Sequence, residues 1–206
     1  KMFINELFPV EEDLGVEKIW FSDTDDPIKL LAPCLDKDST LGIDKNWPAR
    51  FLLRLMEFDA VAGYVNGSDI VDRLRMIKDQ EEIELLRKAS QLNDQAMERL
   101  VNEISPEFTE KDLRDKLAEI YKELGADGFS FDPILSYGAN AADPHHACGD
   151  SKLKEGDSVV LDIGCVKDFY CSDMTRTVFY KTVSEKHKEI YNIVLEANRK
   201  AIEAVK

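Results

Sequence analysis

The sequence predicts an α+β fold in two parts, and three observations carry that expectation. Residues 1–72 alternate short apolar runs with Pro, Gly, Asp and Asn, the texture of a small α/β region. Residues 73–206 open instead with two long stretches of apolar residues at three- and four-residue spacing. Three β-rich segments and one more helical pattern follow, and this order of helix, helix, strand, strand, strand, helix combines helices with an antiparallel sheet.

In the first part, "MFINELFPV" reads as a strand and "WPARFLLRLMEF" as a helix. Between them lie short apolar runs broken by turn residues. The second part begins with "MIKDQEEIELLRKASQLNDQAMERLVNEI", where Ile83, Leu86, Ala89, Leu92, Ala96, Leu100 and Ile104 share one helical face and Asp79 and Glu82 have capping-box spacing. "TEKDLRDKLAEIYKELG" is a second helix, with Thr109 as N-cap and Gly125 as its exit. The strands are "FSFDPILSYGAN", "SVVLDIGCV" and "FYCSDMTRTVF". A last helix starts after Ser184 and runs to Lys206 with no Gly or Pro exit, and the first residue is Lys1, so the sequence reads as part of a longer chain.

Composition narrows the classes of function. With 44% apolar residues the chain has material for a real core. Its 27 basic and 41 acidic side chains give a net charge of -14, which repels nucleic-acid phosphates and anionic membrane surfaces. No stretch is apolar for long enough to be a signal segment or a membrane span. Cys34, Cys148, Cys165 and Cys171 form no CxxC pair, and a reducing cytoplasm is the expected compartment.

The chemistry is concentrated in "VVLDIGCVKDFYCSDMTRTVF", Val159 to Phe179, where Asp162 and Asp173 interrupt strand-like runs. If Lys167 and Asp168 form a two-residue hairpin loop, Asp162 faces Asp173 across the ladder, with Cβ atoms roughly 4.5 to 5.5 Å apart. Like charges so placed repel. A retained proton, a pairing with Arg176, or bound cations would each relieve the repulsion. Oxygen-only ligands at that separation suit two hard divalent ions about 3.5 to 4 Å apart. In a different register, each aspartate merely ends a strand. His145, His146 and Cys148 are zinc-type donors, but no fourth ligand stands at local spacing. In the expected register Cys165 opposes Tyr170 and Cys171 opposes Gly164, which puts the two cysteines on opposite faces and argues against a disulfide.

The same stretch resembles the first metal-ligand segment of the pita-bread metallopeptidases, the group of methionine aminopeptidases, Xaa-Pro aminopeptidases, prolidases and creatinase. There, an aspartate in a D-hydrophobic-G step and a second one before a Thr-Arg-Thr run are both metal ligands; here they are Asp162 and Asp173, with "DMTRT" intact. "SYGANAADPHHACGDSKLKEGDSVVLDIG" is similar to the family segment whose histidine contacts substrate or tetrahedral intermediate, which points to His145. "DRLRMIKDQEEIELLRKA" resembles the junction between the two domains of creatinase and prolidase types. The likeness covers about residues 66 to 206. It implies the N-terminal half of a pita-bread catalytic domain over 73–206, preceded by a partial creatinase-like α/β domain over 1–72.

What the resemblance implies chemically is a metal-dependent peptidase acting on peptides with an Xaa-Pro bond, as a dipeptidase or an aminopeptidase. Two divalent ions, manganese, cobalt or zinc, would be held in part by Asp162 and Asp173, and His145 would steady the oxyanion. The family completes its site with one histidine and two glutamates that nothing here supplies: His187, Glu185, Glu189, Glu196 and Glu203 all belong to the last helix. The 206-residue chain alone is therefore expected to be inactive. The alternative is a relative without catalysis that serves as a protein-binding module. Neither nucleic acid nor membrane is an expected partner, and a homodimer is an allowed assembly.

Overall fold

A computed structural model describes residues 1–8 and 10–205. Pro9, inside the first expected strand, and Lys206, the end of the last expected helix, lie outside the described residues. The chain divides into two compact units, residues 1–77 and 78–206.

The first unit contains two parallel strand pairs. β1 (Met2–Asn5) pairs with β2 (Lys18–Phe21), and after α1 (Pro27–Leu31), β3 (Thr40–Ile43) pairs across α2 (Ala49–Glu57) with β4 (Gly63–Asn66). α2 is the helix expected at "WPARFLLRLMEF", and its Leu55 is fully buried. Two further helices are not marked in the sequence pattern. α1 is only five residues long, capped by Asp26 accepting from the Ile28 and Lys29 N–H groups, and α3 (Ser68–Met76) lacks a side-chain cap.

The second unit is built on α4 (Gln80–Asn102) and α5 (Glu110–Leu124). α4 starts where the capping box requires: Asp79 accepts from the Glu82 N–H at 2.9 Å and Glu82 from the Asp79 N–H at 2.8 Å. Thr109 and Asp112 repeat the device on α5, which ends at left-handed Gly125. The strands follow as β5 (Gly128–Phe129), β6 (Ile134–Tyr137), β7 (Ser158–Ile163), β8 (Cys165–Lys167), β9 (Tyr170–Cys171) and β10 (Met174–Phe179), and α6 (Glu185–Ala204) closes the series. β10, β7 and β6 form one antiparallel sheet in that order, and β5, β8 and β9 another.

β7 alternates strictly. Val159, Leu161 and Ile163 are fully buried among Leu100, Leu113, Leu117 and Leu135, whereas Ser158, Val160 and Asp162 keep some exposure. Removing one of these leucines to Ala would cost roughly 2 to 5 kcal/mol, so the helix pair and sheet stand or fall together. Asp162 thus lies on the opposite side of the sheet from the core that its neighbours build. Gly164 separates β7 from β8: a Cβ there would lie 2.2 Å from both the Ser130 Oγ and the Ser172 carbonyl oxygen, so no larger residue fits.

The hairpin register differs from the expected one. Asp168 and Phe169, with φ of 51° and 67°, form the two-residue loop, Lys167 pairs with Tyr170, and Asp162 pairs with Thr175. Asp162 therefore does not face Asp173. The loop has moved by one residue, which moves every cross-strand partner by two, and a shift of two preserves the face of the sheet. What holds Asp168 in the loop is distant in sequence: Lys88 Nζ reaches its carboxylate at 2.6 Å, and its N–H donates to Asp127 at 2.7 Å.

Candidate metal centre

Asp162 occupies the middle strand of its sheet, flanked by Thr175 on β10 and Ile134 on β6. Thr175 Oγ1 donates to Asp162 Oδ1 at 2.6 Å. Asp173 immediately precedes β10, two residues before Thr175, and the alternation of β10 continued by one residue puts it on the face of Thr175 and Asp162. The two aspartates are diagonal neighbours, a relation that separates Cα atoms by about 7 to 8 Å and Cβ atoms by somewhat less. Their repulsion is milder than in the directly opposed arrangement the sequence suggested.

Arg176 does not relieve it. Its guanidinium donates to the Thr175 carbonyl oxygen at 2.8 Å, and among the described residues it forms no ion pair. Neither aspartate has a Lys or Arg partner among the described residues. Ser136, two positions along β6 from Ile134 and hence on the same face, carries a buried hydroxyl without a partner. The two carboxylates, unpaired with any cation among the described residues, are hard oxygen donors that fit a divalent ion as part of a coordination shell. They are not a whole shell, because no group of three or more His, Cys, Asp or Glu side chains that could hold a metal occurs among the described residues.

The histidine loop lies between β6 and β7. It leaves Tyr137 through Gly138, whose φ is 54° and whose Cβ would fall 2.7 Å from the Asp157 carboxylate, so this turn requires glycine. His145 is exposed; its N–H donates to Asp143 Oδ1 at 2.9 Å, and its ring is free of hydrogen bonds among the described residues. His146 turns the other way, its side chain 20% exposed and its Nε2 2.8 Å from Glu110 Oε2. Cys148 points its thiol at the Pro133 carbonyl oxygen, 3.3 Å away. The zinc-type trio thus has separate partners rather than a common centre.

Glu110 is a residue that sequence reasoning missed. It is 0% exposed, yet it is the first residue of α5, a position usually on the surface. Its Oε1 accepts from the Tyr137 N–H and the Asn140 side-chain amide, and its Oε2 from His146 and the Gly149 N–H, the four contacts all being 2.8 to 2.9 Å long. Burial pushes the carboxyl pKa up, but the hydrogen bonds from Asn140, His146, Tyr137 and Gly149 outweigh it and hold the group below the ordinary value. No local motif marks such a residue, since its partners lie 27 to 39 positions away.

Asn93 was also missed, although it was accessible to pattern reading. It sits four residues after Ala89 and three before Ala96, on the buried face of α4, and is 1% exposed. It donates to the Ile163 carbonyl oxygen at 3.1 Å and accepts from the Tyr121 hydroxyl at 2.6 Å. The helix is thereby tied to the last residue of the strand that carries Asp162.

A layer of two helices on an antiparallel sheet, with Asp162 on the face away from α4 and α5, defines this unit as part of a pita-bread metallopeptidase fold. Residues 84–206 match metallopeptidase family M24, and the chain belongs to that family. An Xaa-Pro dipeptidase of Pyrococcus horikoshii is 33% identical over 201 residues, which is 98% of this chain and 56% of that protein. The solved prolidase from Pyrococcus furiosus superposes with a TM-score of 0.87 at 32% identity, over 99% of this chain and 60% of that one. The X-Pro aminopeptidase of Thermotoga maritima gives a TM-score of 0.76 at 29% identity, over 92% of this chain and 55% of that structure. The chain spans about half the length of the curated relatives it matches. No helix among the described residues is long and apolar enough to cross a membrane.

Proposed function

We propose that this chain supplies part of a dinuclear, metal-dependent peptidase that cleaves Xaa-Pro peptides. The observation that carries the reading is the pair Asp162 and Asp173, two carboxylates on one open sheet face with no basic partner among the described residues. The names of the relatives, Xaa-Pro dipeptidase and prolidase, favour a proline-containing dipeptide as substrate. Asp162 and Asp173 would hold the ions, manganese, cobalt or zinc, with the remaining ligands in the part of the relatives that this chain does not span. Bound divalent ions supply Lewis acidity and an activated water nucleophile at neutral pH. His145, with an exposed ring, would donate to the oxygen of the scissile carbonyl as negative charge develops there. Four free thiols suit the cytoplasmic location we assign.

With two carboxylates only, the 206-residue chain by itself would bind Mn2+ weakly and turn over no substrate. The test uses Asp162→Asn in the full-length protein that carries this chain, with Mn2+ binding and Xaa-Pro dipeptide hydrolysis measured together. Loss of both supports the reading; an unchanged hydrolysis rate, or full activity from residues 1–206 alone, overturns it.

A further inference from the structure

We infer that Glu110 is a positioning residue for His145, holding the loop from Gly138 to Gly149 in the one shape that presents the His145 ring outward. The inference rests on the role given to His145 above. The carboxylate spans that loop from end to end: Tyr137 and Gly149 donate from its two flanks, and Asn140 and His146 from within it. Neighbouring backbone bonds fasten the same strip, with Lys111 N–H donating to the Gly149 carbonyl oxygen at 3.1 Å and Glu110 N–H to that of Ser151 at 3.3 Å. The anchor nearest to His145 is the next residue in the chain. With the His146 ring drawn inward to Glu110, His145, preceded by Pro144 and bonded to Asp143, is left facing solvent.

Only an ionised carboxylate can accept from all four donors, because it offers two oxygens and no hydrogen. A glutamine in its place would turn an NH2 group toward one of the donor pairs. Either the Tyr137 and Asn140 pair or the His146 and Gly149 pair would then lose its acceptor. The side chain is 0% exposed, so water would not replace it.

The experiment compares wild type, Glu110→Gln, His146→Gln and His146→Ala in the full-length protein loaded with Mn2+. It measures amide exchange, metal content and Xaa-Pro dipeptide hydrolysis at a temperature well below unfolding. For Glu110→Gln the expected result is at least tenfold faster exchange at the Tyr137 or Gly149 amide, with Leu100 in the core within threefold of wild type. The same variant should lose at least tenfold in kcat, with KM within threefold and metal content retained. His146→Gln keeps an N–H donor for Glu110 and should stay within threefold of wild-type kcat, whereas His146→Ala should not; this pair decides the matter if Glu110→Gln fails to fold. Unchanged exchange at both amides, lost protection with kcat within twofold of wild type, or equal kcat for the two His146 variants would each overturn the inference. If the wild type hydrolyses no Xaa-Pro peptide, the functional reading fails instead, and the exchange data alone decide whether Glu110 holds the loop.

Discussion

Thr175 stands directly across the β7–β10 ladder from Asp162 and donates its hydroxyl to Oδ1 at 2.6 Å. That bond fixes one carboxylate oxygen and leaves Oδ2 as the atom available to the open face. Groups that orient a metal-binding carboxylate in this way typically matter 10- to 100-fold in affinity. Thr175→Val keeps the shape and β-branching of the residue and removes only the donor. It is expected to weaken Mn2+ binding by about tenfold, measured by calorimetry, with an unchanged circular dichroism spectrum.

The hairpin loop holds a second testable feature. Phe169 is 97% exposed and sits at φ 67°, where a bulky side chain is strained and buries nothing in return. A two-residue loop with positive φ at both positions is the turn that Asp-Gly or Asn-Gly forms without strain. Phe169→Gly should therefore stabilise the protein by about 1 kcal/mol, since relief of strain exceeds the added freedom of the unfolded chain. Thermal unfolding checks it, and a lower midpoint would contradict it.

That loop also marks the limit of what could be read in advance. Helix ends were legible because their signals are local: Asp79 with Glu82, Thr109 and Gly125 lie within a turn of the boundaries they set. The strand pairing was legible in kind and in face but not in register. The choice between Lys167–Asp168 and Asp168–Phe169 as loop is made by Lys88 and Asp127, 80 and 41 positions from Asp168. Asp162 and Asp173 could be singled out because a carboxylate is conspicuous in an apolar run. Glu110, amid the charged residues of "TEKDLRDK", was not conspicuous, and only the folded chain shows it to be buried.

The tie between α4 and β7 can be tested through Tyr121. Its hydroxyl donates to Asn93 Oδ1 at 2.6 Å inside the core, and burial first, then the nearby Cys165, pushes the phenol pKa above its ordinary value, so it remains a donor. Tyr121→Phe leaves a buried acceptor without a partner, which costs about 1 to 3 kcal/mol. Denaturant unfolding should show that loss with an unchanged m-value. In an Asn93→Leu background, where the buried Tyr121 hydroxyl has itself lost its partner, the same change should cost nothing or stabilise.

Glu110 makes the acid sensitivity of the fold predictable in sign. Its carboxyl pKa in the folded chain lies below the ordinary value of 4.5 because four donors favour the ionised form more than burial opposes it. The unfolded chain therefore takes up this proton first as pH falls. The stabilisation from Glu110 is fully present above about pH 4.5 and is lost as pH drops through the lower folded-state value. Once protonated, the group turns a hydrogen toward donors that have no acceptor to offer it, and the loop carrying His145 should be released first. Chemical denaturation of the wild type between pH 6 and pH 3 should show stability falling on the acid side. Glu110→Gln should start from lower stability at pH 6 and follow a flatter curve, because it has no proton to gain at that position. Parallel curves for the two proteins would show that other carboxylates, such as the exposed Asp112 and Asp168, set the acid limb.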